Sequence, residues 1–197
     1  DCLLSRGLGD VYKRQMTILS SVMQFAMLPL QGLTQGAQPI ISYNYGAGNS
    51  NRVRRAYRLL LTYSVCYAML FCLLIQLFPG VFAAIFTSNA ELLAFTKPML
   101  RIYTLALGLF GIQIACQMTF TALGNAKASI IVAVMRKFIL LLPLIYIMPH
   151  LYTADLTKAV FMAEPVADVL AVAFTGVLFF FEFRKALRAM PKSEKNN

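Results

Sequence analysis

The sequence predicts an all-α fold: a polytopic transmembrane helical bundle with five membrane helices. Three observations carry that expectation. Of 197 residues, 59% are hydrophobic and 13% charged, where a soluble domain would hold about 25% charged residues. Mean hydropathy is +0.67. The charges are also clustered, with none between Arg58 and Glu91 or between Arg101 and Lys127. Each gap is long enough for the roughly 20 residues that cross a hydrocarbon core.

Taken in order, residues 1–15 stand apart. The run SRGLGDVYKRQ, residues 5–15, resembles the codon-for-codon translation of a widely used transposon-based sequencing adapter read in one frame. Residues 1–15 are therefore expected to be non-native, and Met16 need not be a true start. The first helix is expected over 17–45, with Pro29, Gly32, Gly36 and Pro39 inside it and a stop at Gly46 and Gly48. The second is expected over 54–78, ended by Pro79-Gly80. The third is expected over 92–123, with Pro98 near its start and Gly124-Asn125 as its stop. The fourth covers 128–148 with Pro143, and the fifth covers 158–187 with Pro165. Gly or Asn after a helix and Pro near a start are the expected punctuation. Prolines inside membrane helices are tolerated where neighbours satisfy the freed carbonyl. The domain organisation is thus 1–15 foreign, 16–187 transmembrane, and 188–197 a polar cytoplasmic tail.

The basic residues set orientation. Ten of them (Arg52, Arg54, Arg55, Arg58, Lys127, Arg184, Lys185, Arg188, Lys192, Lys195) fall on one side, against Lys97, Arg101 and Lys158 on the other. The C-terminus is therefore expected in the cytoplasm. The net charge is +10, and setting aside three basic and two acidic residues in 1–15 leaves +9. That charge reads as topology, and no aromatic-basic motif points to nucleic acid. Cys66, Cys72 and Cys116 lie in apolar runs, where cysteine packs as a small hydrophobe. With a single histidine, His150, and no CxxC, neither a metal site nor a cofactor motif is expected. HExxH and GxSxG are absent too, so a membrane-embedded enzyme is not expected.

The string PLQGLTQGAQPIISYNYGAGNSNRVRRAYR resembles the multidrug and toxic compound extrusion (MATE) family, in its bacterial small multidrug-antiporter branch. The runs GIQIACQMTFTALGNAKAS, MRKFILLLPLIYIMP and EPVADVLA resemble later helices of that family in order. The resemblance covers 16–187 and implies a partial C-terminal lobe, helices eight to twelve, of a twelve-helix transporter. It implies two lobes with substrate between them, and transport by rocking of one repeat against the other. The implied setting is the bacterial inner membrane. The implied partners are the lipid bilayer, a missing N-terminal lobe of the same chain, small organic cations, and H⁺ or Na⁺.

Several polar residues inside the helices are candidates. Gln35 and Gln38 share a face of the first helix, where amides need a bundle interior or a wet cavity. They read either as glue between helices or as lining of a substrate path, and Gly32 with Gly36 reads as a close-packing pair. Tyr43, Asn44 and Gly46 read with Pro39 as motif and helix-exit residues. Glu164 and Asp168 stand four apart on the fifth helix. Counted from the helix ends at 1.5 Å per residue, Asp168 lies roughly 13 Å deep and Arg136 roughly 12 Å from the opposite side. An unpaired charge there costs at least ~3 kcal/mol, so a pair or a hydrated cavity is expected. Asp168 with Arg136 or Lys137 is then either a static bridge or an exchange site for H⁺, Na⁺ or a cationic substrate. A carboxyl withdrawn from water favours its neutral form, while a close arginine favours the charged one. Gln113 and Gln117 share a face of the third helix, and Gln113 is within reach of the cavity. Tyr103, Phe110 and Phe120 are candidate aromatic faces for a cation. Some branches of the family carry an aspartate for cation coupling in that helix. Here Gly111 takes its place, which leans the expectation to H⁺ over Na⁺. The expected function is cation-coupled antiport of organic cations. A lipid-linked oligosaccharide flippase of the same superfamily would want a more basic cavity, and a structural five-helix protein with no transport of its own is the third reading.

Overall fold

A computed structural model describes residues 2–87, 89–151 and 156–190. The elements are α1 (Cys2–Gly46), α2 (Ser50–Leu77), α3 (Pro79–Ala84), α4 (Ala90–Tyr103), α5 (Leu107–Ala122), α6 (Ala126–Val134), a π-helical segment (Met135–Leu141), α7 (Leu142–Leu151) and α8 (Leu156–Ala189). Four stretches, Met16–Gly46, Ser50–Leu77, Ala126–Met148 and Met162–Ala189, are each long and apolar enough to cross a membrane. The bent pair α4–α5 makes a fifth when taken as one span. The five expected helices are therefore present, with two of them broken. α1 runs through residue 15 without interruption.

One dipeptide is used twice to end a helix and start the next. Gly48 and Gly124 adopt φ of 70° and 73°, the left-handed conformation that a side chain disfavours. The following N–H groups reach back, Asn49 to the Asn44 carbonyl at 3.0 Å and Asn125 to the Phe120 carbonyl at 2.9 Å. Each asparagine side chain then caps the next helix, accepting from the N–H of Arg52 at 3.3 Å and of Ala128 at 3.2 Å. Of the two glycines at the expected stop, Gly46 is the last residue of α1 and Gly48 makes the turn.

The third expected helix, 92–123, is two helices bent by 51°. Thr104 donates its hydroxyl to the Leu100 carbonyl at 2.8 Å, a back-bond of the kind that bends helices. Leu105 N–H turns to Ile102 and so leaves the Arg101 carbonyl free. Residues of α2 compensate: Gln76 Nε2 donates to Arg101 O at 2.8 Å, and Cys72 Sγ to Thr104 O at 3.5 Å. The fourth helix is also interrupted. Pro143 has no N–H for the Ile139 carbonyl and its ring crowds that turn. The backbone widens before it into the π segment, where Leu142 N–H bonds Lys137 O five residues back.

α5 is the central helix, packed on α1, α2, α6 and α8. One core cluster, with Leu19, Val22, Leu30, Ile75, Leu100 and Leu107, joins α1, α2, α4 and α5. A second holds Ile41, Val53, Leu60 and Ala115, and a third holds Cys116, Phe120, Val132 and Phe179. α5 approaches the α2 backbone closely, since a Cβ added at Gly111 would sit 2.5 Å from the Ser64 carbonyl oxygen. Gly32 and Gly36, expected to make such an approach, meet nothing within 4 Å. Their face of α1 has no partner among the described residues, so the small side is open there.

Candidate functional site

Asp168 lies on α8, which packs against α5 and the π segment. Arg136 enters from that π segment and its Nε donates to Asp168 Oδ1 at 2.7 Å. This is the one ion pair among the described residues, with Asp168 2% exposed and Arg136 17%. The Arg136 guanidinium carbon also stands 4.4 Å from the centroid of the Phe110 ring on α5. Cation, carboxylate and aromatic face thus come from three elements. The bond is single-point: among the described residues no other hydrogen bond is made by the guanidinium, although the group carries five donors. A fork-to-fork pair would be more rigid.

Glu164 sits one helical turn before Asp168, with Pro165 between them, and is half-buried. The buried Tyr103 side chain of α4 interacts with Glu164 and with Ser20 of α1, and feels the Asp168 charge. Lys137, next to Arg136, acts on Asp168 electrostatically as well. The cluster therefore holds two carboxyls, two cations and a phenol.

Gln113 lies three residues beyond Phe110 on α5, hence on the same face, and is 2% exposed. Its Oε1 has no hydrogen-bond partner, and neither has Thr175 Oγ1, seven residues beyond Asp168 on α8. Buried acceptors left open are uncommon and costly. Gln117 is half-buried further along α5. Phe120 is fully buried against Phe179, with ring centroids 5.2 Å apart, and offers no face to a cation.

Gln35 and Gln38 are elsewhere. They follow Ser20, the α1 residue beside Tyr103, by 15 and 18 positions, or about 22 and 27 Å along the helix. Gln35 is exposed and Gln38 half-buried, on the open side of α1 that also carries Gln24 and Gln31. Sequence reading missed Gln24, Gln31 and Thr175; the seven-residue spacing of Gln24 and Gln31 was the available signal for the first two. Pro39 lies exposed within α1, and Tyr43 is 76% exposed. Asn44 Nδ2 donates to Ile40 O at 2.7 Å, and Ser42 Oγ reaches the Ala122 carbonyl of α5 at 2.8 Å. This end of α1 is a helix terminus docked on α5. Among the described residues no group of three or more His, Cys, Asp or Glu side chains is placed to hold a metal.

Broken membrane helices, a buried ion pair where they meet, and an amide-bearing face left open are features of helical membrane transporters. The MatE family model matches residues 7–147. The chain belongs to the MATE family of multi-pass membrane transporters. It is 24% identical over 154 residues to a FAD transporter of Shewanella oneidensis, covering 78% of this chain and 33% of that protein. It is 22% identical over 178 residues to the multidrug export protein MepA of Staphylococcus saprophyticus, covering 89% of this chain and 39% of that protein. Among solved structures, the MATE multidrug transporter DinF-BH in complex with the ligand R6G aligns with a TM-score of 0.75 at 31% identity, over 85% of this chain and 36% of that one. The Vibrio cholerae MATE transporter VcmN in its bent form aligns with a TM-score of 0.77 at 21% identity, over 95% and 43%, a likeness of fold.

Proposed function

We propose that this chain forms helices eight to twelve, most of the C-terminal lobe, of an exporter that exchanges small organic cations for protons. In this reading residues 16–187 are the transmembrane part, a tail over 188–197 is cytoplasmic, and an N-terminal lobe completes the cavity in the inner membrane. The observation that carries it is the single-point, buried Arg136–Asp168 bond under the Phe110 ring. Arg136 is an internal cation occupying a carboxylate and an aromatic face. An organic cation needs those same two groups. A proton on Asp168 removes the attraction for either cation, so cargo and proton exclude each other. Glu164, one turn away, is the second acceptor, and Lys137 is the cation nearest to replace Arg136. Gln113, with its open acceptor, orients the cargo, and Gln117 extends that face. The row Gln24, Gln31, Gln35 and Gln38 faces the second lobe. The lean to protons over Na⁺ rests on Gly111, where the Ser64 carbonyl leaves no room for a side chain and hence none for an acid.

Binding of tetraphenylphosphonium to the purified chain tests this. Asp168→Asn should weaken it at least about tenfold, or 1.4 kcal/mol. Arg136→Gln should leave binding equal or tighter. Binding indifferent to Asp168→Asn would remove the site.

The Shewanella relative favours a second reading, an anionic dinucleotide cargo held by Arg136 and Lys137. Under it FAD binds, Arg136→Gln abolishes that binding, and tetraphenylphosphonium does not compete.

A further inference from the structure

A second, differently built depression lies at the arginine-rich end of the bundle, between the start of α2 and the end of α8. It encloses about 530 Å³. Arg54 and Arg184 line it at the rim nearest the helix termini, and Gly176 lines it further along α8. Gly176 precedes Arg184 by eight residues, so the groove runs about 12 Å along α8. A Cβ placed at Gly176 would meet nothing within 4 Å, which marks open space beside the helix. The wall is a prebuilt aromatic stack. Tyr57 lies on Phe179 with centroids 4.6 Å apart, and Phe179 on Phe183 at 4.8 Å. Arg184 is held at the rim by the Phe180 ring, 4.9 Å from its centroid.

The charge of the rim is uncompensated. Arg54 and Arg184 have no ion-pair partner among the described residues, and neither have Lys185 and Arg188, which border an adjoining depression with Arg184. The nearest acid in α8, Glu182, is held on the α6 side by Asn125, whose Nδ2 donates to it at 2.9 Å. A positive rim above an apolar, aromatic slot matches one class of molecule: an anionic headgroup carrying an acyl chain. We propose that this groove binds an anionic phospholipid, its phosphate between Arg54 and Arg184 and one acyl chain laid along the exposed edges of Tyr57 and Phe183 toward Gly176. Excess Lys and Arg at one membrane face orients a helix without any groove. The open space at Gly176 beneath the cations is what distinguishes a site from a merely basic face.

The chain contains no tryptophan, so Phe180→Trp gives a single reporter that keeps the aromatic contact to Arg184. The chain carrying it is reconstituted in phosphatidylcholine vesicles, and brominated phosphatidylglycerol or brominated phosphatidylcholine is titrated as quencher. Phosphatidylglycerol should quench preferentially. The preference should fall about fivefold for each of Arg54→Gln and Arg184→Gln, the effect of one basic residue near a charged membrane surface. Gly176→Leu, which fills the slot and leaves every cation in place, should abolish it. Equal quenching by the two lipids overturns the proposal. So does a preference that survives Gly176→Leu, which assigns it to the basic face alone. Displacement by millimolar glycerol phosphate also overturns it, in favour of a soluble anion.

Discussion

The two sides of α5 are built on opposite principles. Toward α2 the contact is tight and made of small groups: Gly111 lies against the Ser64 backbone, Gly108 lies under Met69, and Ala68 and Ala115 fill the seam. Toward α8 and the π segment it carries Phe110 under Arg136, Gln113 with an open acceptor, and Asp168 within one hydrogen bond of Arg136. The α2 side has one low-energy arrangement, because backbones in van der Waals contact cannot slide without clashing. The α8 side carries one buried ion pair and an amide oxygen without a partner, and one wall is a widened helix. In the proposed exporter the first side is a rib that moves as a unit and the second a face whose contacts are remade.

Substitutions separate the two sides. Gly111→Asp should have the largest effect, since it drives a carboxyl into the Ser64 backbone; a loss beyond about 3 kcal/mol is expected from overpacking alone, read as failure to yield folded protein in detergent. Arg136→Gln should cost up to about 3–5 kcal/mol by leaving the buried Asp168 carboxyl without its cation. Most of that loss should return in the double variant with Asp168→Asn, measured by thermal unfolding; no recovery would mean that the pair is not coupled. Gln76→Leu removes the donor to the Arg101 carbonyl at the α4–α5 bend and should cost about 1 kcal/mol, with faster amide exchange over 101–107. Gly36→Ala should be smallest, neutral or stabilising by up to ~1 kcal/mol, because nothing lies near it. If it is clearly destabilising, that face is closed after all.

The helices were legible because membrane insertion filters charge from spans and because Gly, Asn and Pro mark their ends. The bend between α4 and α5 was not. Residues 104–106, Thr-Leu-Ala, contain neither Gly nor Pro, and the break is stabilised from α2 by Gln76 and Cys72, a tertiary effect that no local pattern displays. Pro143 was visible, but its consequence, a π segment beginning eight residues earlier at Met135, depends on how the helix is held on both sides. At the candidate site, depth counting aligned Arg136 with Asp168 because an isolated charge in hydrocarbon is costly. The same counting says nothing about rotation around a helix. Phe110, Phe120 and Tyr103 were therefore equal candidates in sequence, yet Phe110 meets the arginine, Tyr103 meets Glu164, and Phe120 is walled into the core. The glycines of α1 are a related case: a small-residue pair signals that close approach is permitted, and among the described residues nothing makes it.

In the proposed exchange Asp168 trades Arg136 for either a proton or an organic cation, with Glu164, Lys137 and Tyr103 as the other titratable groups around it. Proton release on adding tetraphenylphosphonium to the chain in weakly buffered detergent solution, at a series of pH values, tests it most directly. Release of up to about one proton per cation bound is expected, abolished by Asp168→Asn and retained in Arg136→Gln. Cation binding with no proton release at any pH, in a chain that binds with the same affinity after Asp168→Asn, would contradict it.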